Sequence, residues 1–165
     1  MPKKLGRAVM FLAIFFCTTG FDQASKEWAR TLPPGVRQPV IDGYWDWELA
    51  KNPGAAFSSF TGVTGAQILL SILAAAALIG IGIVAARTGP EEKLKLAGLA
   101  LIGGGALGNL IDRVREGAVT DFVRWRVHEH LWPIFNVADA ALLVGVVLLL
   151  LESAVRKRGR AMLKA

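Results

Sequence analysis

The 165-residue chain has one cysteine, one tyrosine and two histidines, and charged residues make up only 19% of it. A lone cysteine, Cys17, excludes an internal disulfide. His128 and His130 have no cysteine near them and lack the i, i+4 spacing of helical metal ligands, which argues against a metal site. Soluble domains carry about a quarter charged residues, so the scarcity of charge argues against one. We therefore expect neither a soluble protein nor a bound metal or other cofactor.

Long apolar runs are what the chain has in abundance. Hydrophobic residues make up 53% of it, and its mean hydropathy is +0.45. Four runs approach or reach the roughly 20 apolar residues that cross a bilayer. They cover approximately residues 5–21, 63–86, 94–111 and 131–151. These runs predict an all-α integral membrane protein with four transmembrane helices, forming a single membrane-embedded domain over residues 1–165.

The first run has the basic start and apolar centre of a signal peptide. No small-x-small cleavage site follows it, so we expect a retained membrane anchor. Phe15 and Phe16 precede Cys17, where a lipoprotein precursor needs a small residue. The chain is therefore not expected to be a lipoprotein itself.

The distribution of basic residues predicts the topology. An even number of spans puts both termini on one side, together with the short loop between the second and third spans. That side would carry most of the lysines and arginines: Lys3, Lys4, Arg7, Arg87, Lys93, Lys95, Arg156, Lys157, Arg158, Arg160 and Lys164. The positive-inside rule therefore predicts cytoplasmic termini and two outer loops, residues 22–62 and 112–133. The net charge of +6 is explained by an anionic membrane face and needs no nucleic acid.

The first outer loop has the pattern of a small β-sheet. Trp45, Trp47 and Leu49 alternate with Asp46 and Glu48, which is typical of a half-buried strand. The aromatic residues also suit the membrane interface, so we expect a sheet resting on the lipid headgroups. Residues 119–127 alternate as well, and both a strand and a short amphipathic helix fit them.

Asp139 is the most informative residue, because it lies in a run that otherwise predicts a membrane span. An ionisable side chain at a helix centre costs roughly 2.5–3.5 kcal/mol and marks a functional site by default. Asp121 lies just outside the same run. Two carboxyls that share a site do not readily both ionise, so one keeps its proton near neutral pH. This mixed state suits acid–base hydrolysis, in which one carboxyl activates water and the other protonates the scissile carbonyl.

Other polar residues share the outer end of the four spans. They are Asp22 and Lys26 in the first, Asn52 before the second, Asn109, Asp112 and Arg113 in the third, and Asn136 in the fourth. Singly, each has a structural explanation, such as an i, i+4 ion pair or a turn. Their convergence at one depth favours a site in which asparagines hold the two carboxylates. Gly103 to Gly105, and the GxxxG spacing of Gly104 and Gly108, predict close helix packing.

A second hypothesis is a small proton-coupled transporter or channel subunit that uses Asp139 as a relay. It requires polar residues that continue toward the cytoplasmic side. Residues 140–151 are wholly apolar, which disfavours this function. A purely structural bundle does not explain why Asp139 is tolerated.

These motifs together resemble the lipoprotein signal peptidases (signal peptidase II), a family of bacterial aspartic proteases of the inner membrane. The resemblance extends from Asp22 to Asp139. Its five blocks are Asp22-Gln23-x-x-Lys26, Asn52-x-Gly54-x-Ala56-Phe57, Gly108-Asn109-x-x-Asp112-Arg113, Val119-x-Asp121-Phe122 and Phe135-Asn136-x-Ala138-Asp139.

The resemblance implies that Asp121 and Asp139 are the catalytic pair. The residues that it implies support the site or shape the substrate pocket are Asp22, Lys26, Asn52, Gly54, Gly108, Asn109, Asp112, Arg113 and Asn136. The implied substrate is a diacylglyceryl-modified prolipoprotein, cut just before its lipidated cysteine near the outer membrane face. Membrane lipid is the other implied partner, and a globomycin-type compound is the implied inhibitor.

Overall fold

The computed structural model describes residues 3–54 and 66–162. In this part of the chain, four helices and four strands follow one another in the order α1 (Lys3–Ala29), β1 (Gln38–Ile41), β2 (Trp45–Asn52), α2 (Ala66–Arg87), α3 (Lys93–Glu116), β3 (Val119–Val127), β4 (His130–Leu131) and α4 (Val137–Met162). All four helices are long and apolar enough to cross a membrane. The predicted architecture of four spanning helices with a small sheet is confirmed.

The helices do not end where the apolar runs end. α1 continues past residue 21 to Ala29, and α3 continues past residue 111 to Glu116, so their last turns carry the polar side chains that the sequence predicts to lie at one depth. α4 begins at Val137, whereas the apolar run begins at residue 131, and Leu131 belongs to β4. The predicted start of the second span, Val63, lies outside the described residues.

α3 is the central helix of the bundle. Half of its apolar segment is buried by protein, against 6–17% for the other three helices. Its glycines permit this: a Cβ on Gly104 would lie 2.7 Å from the carbonyl oxygen of Phe15 in α1, and one on Gly105 would lie 2.6 Å from that of Ala138 in α4. The predicted close packing through small residues is confirmed.

The sheet is antiparallel, with strand order β1-β2-β3-β4. Only β1 and β2 come from the predicted loop, whereas β3 and β4 come from the connection between α3 and α4. Residues 119–127 are therefore a strand, and the amphipathic-helix alternative is wrong. A lone two-stranded hairpin is only marginally stable, and β3 gives β2 its second neighbour. This pairing places Asp121 opposite Ala50.

Aromatic side chains join the sheet to the end of α1. Trp28 of α1 contacts Trp47 of β2 with ring centroids 5.0 Å apart, and Phe122 of β3 lies 5.9 Å from Trp47. The alternation predicts that the polar face of β2 is exposed to solvent, but this face is partly buried. Asp46 is fully buried and forms an ion pair with Arg126 at 2.8 Å. Aromatic contacts thus hold one face of the sheet against α1, and on the other face an ion pair joins β2 to β3.

Candidate active site

Asp121 lies in β3, and β2 supplies its first hydrogen-bond partner. A register shift between Trp47 and Ala50 brings Asn52 to the same end of the sheet as Asp121. The Asn52 Nδ2 donates to Asp121 Oδ2 at 3.0 Å, and the Asp121 side chain is almost completely buried. Strand pairing therefore sets the position of this carboxylate.

Asp139 lies in the first turn of α4, near the end of the candidate span rather than at its centre. The Asp139 backbone N–H donates to Asn136 Oδ1 at 3.0 Å, and the Asn136 backbone N–H donates to Asp139 Oδ2 at 3.2 Å. This reciprocal pair is a capping box that starts the helix. The helix dipole also favours a negative charge at this position. The carboxylate thus costs less here than at a helix centre.

Asn136 connects the two carboxylates. Besides its capping bonds to Asp139, its Nδ2 donates to Asp121 Oδ1 at 2.6 Å. The same Nδ2 approaches Asn109 Oδ1 at 3.2 Å, and the Asn136 side chain is fully buried. Asp121 and Asp139 therefore share one hydrogen-bond partner, Asn136.

Lys26 has three partners that use its three N–H donors. Its Nζ lies 2.9 Å from Asp22 Oδ2, 3.2 Å from Asp112 Oδ2 and 2.8 Å from Asn109 Oδ1. Because Lys26 takes the oxygen of the Asn109 amide, the Nδ2 of Asn109 points to Asp139 and donates to its Oδ1 at 3.0 Å. The predicted Asp22–Lys26 pair is confirmed, and it forms the centre of a fully buried network.

Asp22 and Asp112 each hold the backbone next to one of the candidate catalytic residues. Asp22 Oδ1 accepts a hydrogen bond from the backbone N–H of Ala138, the residue before Asp139, at 2.8 Å. Asp112 Oδ2 accepts one from the backbone N–H of Thr120, the residue before Asp121, also at 2.8 Å. Lys26 binds both of these aspartates, so one cation links the two backbone contacts.

At both predicted glycines a side chain would collide with a neighbouring side chain. A Cβ on Gly108 would overlap the Asp22 carboxylate, with the carboxyl carbon at 2.9 Å. Gly54 has a φ of +104°, which favours glycine, and its backbone N–H donates to Asn52 Oδ1 at 3.1 Å. A Cβ on Gly54 would lie 2.6 Å from Leu70 of α2. Gly108 therefore lets the Asp22 carboxylate approach α3, and Gly54 lets the turn after β2 approach α2.

Arg113 supplies a positive charge near the two candidate catalytic carboxyls. Its Nη1 donates to the Asn109 carbonyl oxygen at 3.4 Å, and its charge interacts with both Asp139 and Asp121. With Arg113, all eleven predicted site residues lie in one connected region. Ala56 and Phe57 of the second block lie outside the described residues.

Two further residues join the network without having been predicted as site residues. Gln23 Nε2 donates to the Gly108 carbonyl oxygen at 3.0 Å and to Asp112 Oδ1 at 3.1 Å. Arg30 Nη2 lies 3.1 Å from Asp112 Oδ1 and 2.6 Å from Glu116 Oε1. Arg30 lies just after α1, four residues beyond Lys26, and its backbone N–H still donates to the Lys26 carbonyl oxygen at 2.9 Å. This spacing could have indicated its place in the network.

The environment of Asp121 favours its neutral form. Burial and the nearby charge of Asp139 raise the pKa of Asp121 to about 7, although hydrogen bonds from Asn52 and Asn136 lower it. A carboxyl in such a position retains a proton near neutral pH. Asp139 is partly exposed at the start of α4, whereas Asp121 is almost completely buried in β3. The two carboxyls therefore lie in different surroundings.

The sequence from residue 14 to residue 155 matches the signal peptidase (SPase) II family. The chain belongs to this family. Among curated relatives, the lipoprotein signal peptidase of Xanthomonas campestris pv. campestris (strain 8004) is 39% identical over 142 residues, covering 85% of each protein. That of Xylella fastidiosa (strain 9a5c) is also 39% identical over 142 residues, with the same coverage.

Two solved structures of bacterial membrane enzymes, determined by the in meso method at 2.3 and 1.9 Å resolution, have the same fold. Both superpose with a TM-score of 0.78, at 30% and 28% identity. The first covers 89% of this chain and 87% of its own, and the second covers 86% and 90%. The family and the four helices identify a multi-pass peptidase of the bacterial inner membrane, and nothing in these comparisons supports the transporter hypothesis.

Proposed function

We propose that this signal peptidase uses Asp121 and Asp139 as an aspartic dyad to remove signal peptides from diacylglyceryl-modified prolipoproteins, cutting just before the lipidated cysteine. The observation that carries the proposal is the hydrogen bonding of Asn136 to both carboxylates, one of them deeply buried. The relatives are lipoprotein signal peptidases, and this supports the substrate class.

In the proposed mechanism, the pair begins with one proton, held by Asp121. Ionised Asp139 takes a proton from a water molecule, whose oxygen attacks the scissile carbonyl carbon while Asp121 protonates the carbonyl oxygen. The tetrahedral intermediate then collapses: the C–N bond breaks, Asp139 delivers its proton to the leaving amine, and Asp121 regains one from the intermediate's hydroxyl. The raised pKa of Asp121, caused by burial and the charge of Asp139, supports its role as the acid.

The remaining network supports the same chemistry. Asn52, Asn109 and Asn136 donate to the carboxylates, and Arg113 adds a positive charge near them. Asp22, Lys26 and Asp112 hold the two backbone segments in register, while Gly54 and Gly108 keep space open. In this proposal these residues position the dyad, and only the two aspartates exchange protons with substrate.

The proposal also includes an orientation, with both termini in the cytoplasm and the dyad near the extracytoplasmic face. The excess of lysine and arginine at the termini supports it. Tyr44, Trp125 and Trp132 expose 52%, 54% and 65% of their surface beside the sheet, as expected of residues at lipid headgroups. The whole chain would then act as a single membrane-embedded peptidase domain, with lipid around it and sensitivity to a globomycin-type inhibitor.

The test is a gel-shift cleavage assay in detergent or lipid with diacylglyceryl-modified and unmodified prolipoprotein. Asp121→Asn and Asp139→Asn are each expected to lower the rate by about 10²–10⁴-fold, the usual contribution of a general acid or base. Asp42→Asn is the matched control, because the Asp42 carboxylate is 96% exposed in the turn after β1.

Cleavage of the modified substrate alone, lost in both site variants and kept in Asp42→Asn, is the expected result. Cleavage that survives both site substitutions would overturn the dyad. Equal cleavage of modified and unmodified substrate would overturn the proposed requirement for the lipid. The inhibitor is expected to block only the activity that depends on Asp121 and Asp139.

A further inference from the structure

A cavity of about 410 Å³ lies at the end of the bundle away from Asp121 and Asp139. It opens between the start of α1, the end of α2 and the start of α3. Its mouth is cationic and its wall is apolar, as its lining residues show: Lys4, Arg7, Phe11 and Leu12 of α1, Gly82 of α2 and Leu96 of α3. Its volume is within the range of small-molecule sites.

The polarity of the cavity changes along the membrane normal. Lys4 and Leu12 are about 12 Å apart along the axis of α1, at 1.5 Å per residue. The lining therefore passes from charged to wholly apolar within about two turns of α1. A purely polar or purely apolar ligand would match only one end of this surface.

Arg7 has a hydrogen-bond donor without an acceptor. Its Nη2 donates to the carbonyl oxygens of Thr88 and, at 3.4 Å, Ala85, and thereby caps the end of α2. Its Nε is buried and has no hydrogen-bond partner among the described residues. A buried, unpaired guanidinium N–H is costly, and a phosphate oxygen is a strong acceptor for it.

Among the described residues, no carboxylate lines the cavity, and none forms an ion pair with Lys4 or Arg7. Glu91 lines the adjoining cavity together with Arg7. Glu92, a buried carboxylate at this end of the bundle, already binds Lys95 at 3.3 Å, Arg156, and the Gly89 backbone N–H at 2.6 Å. Lys4 and Arg7 therefore remain available to an external anion.

We infer that this cavity binds an anionic glycerophospholipid. Its phosphate lies between Lys4 and the free Nε of Arg7, and an acyl chain follows Phe11 and Leu12 past Gly82. Basic pockets between transmembrane helices bind anionic headgroups in this way. A zwitterionic lipid binds less well, because its ammonium finds no carboxylate in the lining.

The inference is tested on the full-length protein, stripped of lipid and titrated with phosphatidylglycerol or phosphatidylcholine of identical chains, with bound lipid counted by native mass spectrometry. Two basic residues predict about a tenfold to thirtyfold preference for phosphatidylglycerol. Equal affinities would overturn the inference. So would equally tight binding of chain-free glycerol phosphate, since the apolar wall would then contribute nothing.

Gly82 and Gly80 offer a matched pair of variants. A Cβ at either position meets no atom within 4 Å, but only Gly82 lines the cavity. Gly82→Leu fills the part of the cavity that holds the acyl chain and is expected to weaken binding of both lipids, whereas Gly80→Leu keeps wild-type binding. Both should cleave prolipoprotein at the wild-type rate in detergent. Wild-type lipid binding by Gly82→Leu would contradict the site.

Lys4→Gln provides an independent variant on an exposed side chain, and it tests the site even if Gly82→Leu fails to fold. It is expected to weaken phosphatidylglycerol binding about fivefold, the effect of one basic residue near an anionic surface, and to leave phosphatidylcholine binding unchanged. Lys4→Arg should restore binding. Equal losses for both lipids would point to a change in the fold and would overturn the role of Lys4.

Discussion

The two ends of the helix bundle both contain networks of charged residues, but they are built differently. At the end with the two candidate catalytic aspartates, Lys26, Asp22 and Asp112 are fully buried and bound to one another. At the opposite end, Glu92 is paired with Arg156 and Lys95, whose side chains remain 43% and 33% exposed. The first network is sealed in protein, and the second is open to its surroundings.

The difference in burial suggests different roles: the buried network positions the two aspartates, and the exposed network anchors helix ends. Buried charges are expensive to desolvate and rarely improve stability over apolar packing, so their retention calls for another reason. Here the buried network ends on the backbone before Asp139 and before Asp121. The exposed network only joins helix ends, which side chains in contact with water do at little cost. Substitutions at the two ends should therefore differ in size and in kind.

The largest expected effect is that of Lys26→Met. It leaves Asp22 and Asp112 buried without their shared cation, and removing one partner of a buried pair costs about 3–5 kcal/mol. The measurement is the free energy of unfolding in mixed micelles, together with the cleavage rate, which should also fall because Asn109 loses the contact that orients it toward Asp139. A stable and fully active variant would show that the buried network does not position the dyad.

Gly108→Ala is expected to have the next largest effect. The new methyl group would displace the Asp22 carboxylate from Lys26, and such overpacking costs about 1–3 kcal/mol. The cleavage rate should fall with it, because Asp22 would release the Ala138 N–H next to Asp139. Gly82→Ala is the control, since its Cβ enters open space at the other end. Equal behaviour of the two variants would contradict the steric argument.

The pH profile tests the environment of Asp121. Its pKa is raised to about 7 by burial and by the charge of Asp139, so cleavage should fall as the pH rises through about 7 and the acid loses its proton. Folded-state stability should also decline between about pH 4 and pH 7, since the folded chain binds this proton more tightly than the unfolded chain.

Asn52→Ala should move the alkaline limb of that profile to higher pH, because the Asn52 hydrogen bond lowers the pKa of Asp121. Thr31→Ala, which removes only a contact with the Trp28 carbonyl oxygen, should leave the limb in place. The kcat/KM profile of each variant is the measurement. A limb that moves downward in Asn52→Ala would mean that another group controls it.

The smallest expected effect is that of Arg156→Gln at the opposite end. It breaks a partly exposed ion pair with Glu92, worth about 0–1 kcal/mol, and leaves the cleavage rate unchanged. Thermal unfolding at low and high salt is the measurement, and the small loss should disappear at high salt. A loss as large as that of Lys26→Met would remove the distinction between the two ends.

Local patterns in the sequence determined much of this protein. The apolar runs specify four spanning helices, because each run is long enough to cross a bilayer by itself. The i, i+4 spacing of Asp22 and Lys26 already places them on one helix face. The glycines of α3 indicate close packing, since only small residues let helix backbones approach. Such features depend on neighbours a few residues away.

Tertiary structure decided what depends on distant parts of the chain. β3 pairs with β2 although α2 and α3 lie between them in sequence, and this pairing sets the place of Asp121. Asp139 is a capping residue only because the chain turns at Asn136, which hydropathy does not reveal. The partners of Lys26 on α3, and the contacts of Asp22 and Asp112 with the backbone of α4 and β3, exist only after the helices pack. The periodicity of a sequence reports which face of one helix or strand is buried. These contacts join several helices and strands, so periodicity does not reveal them.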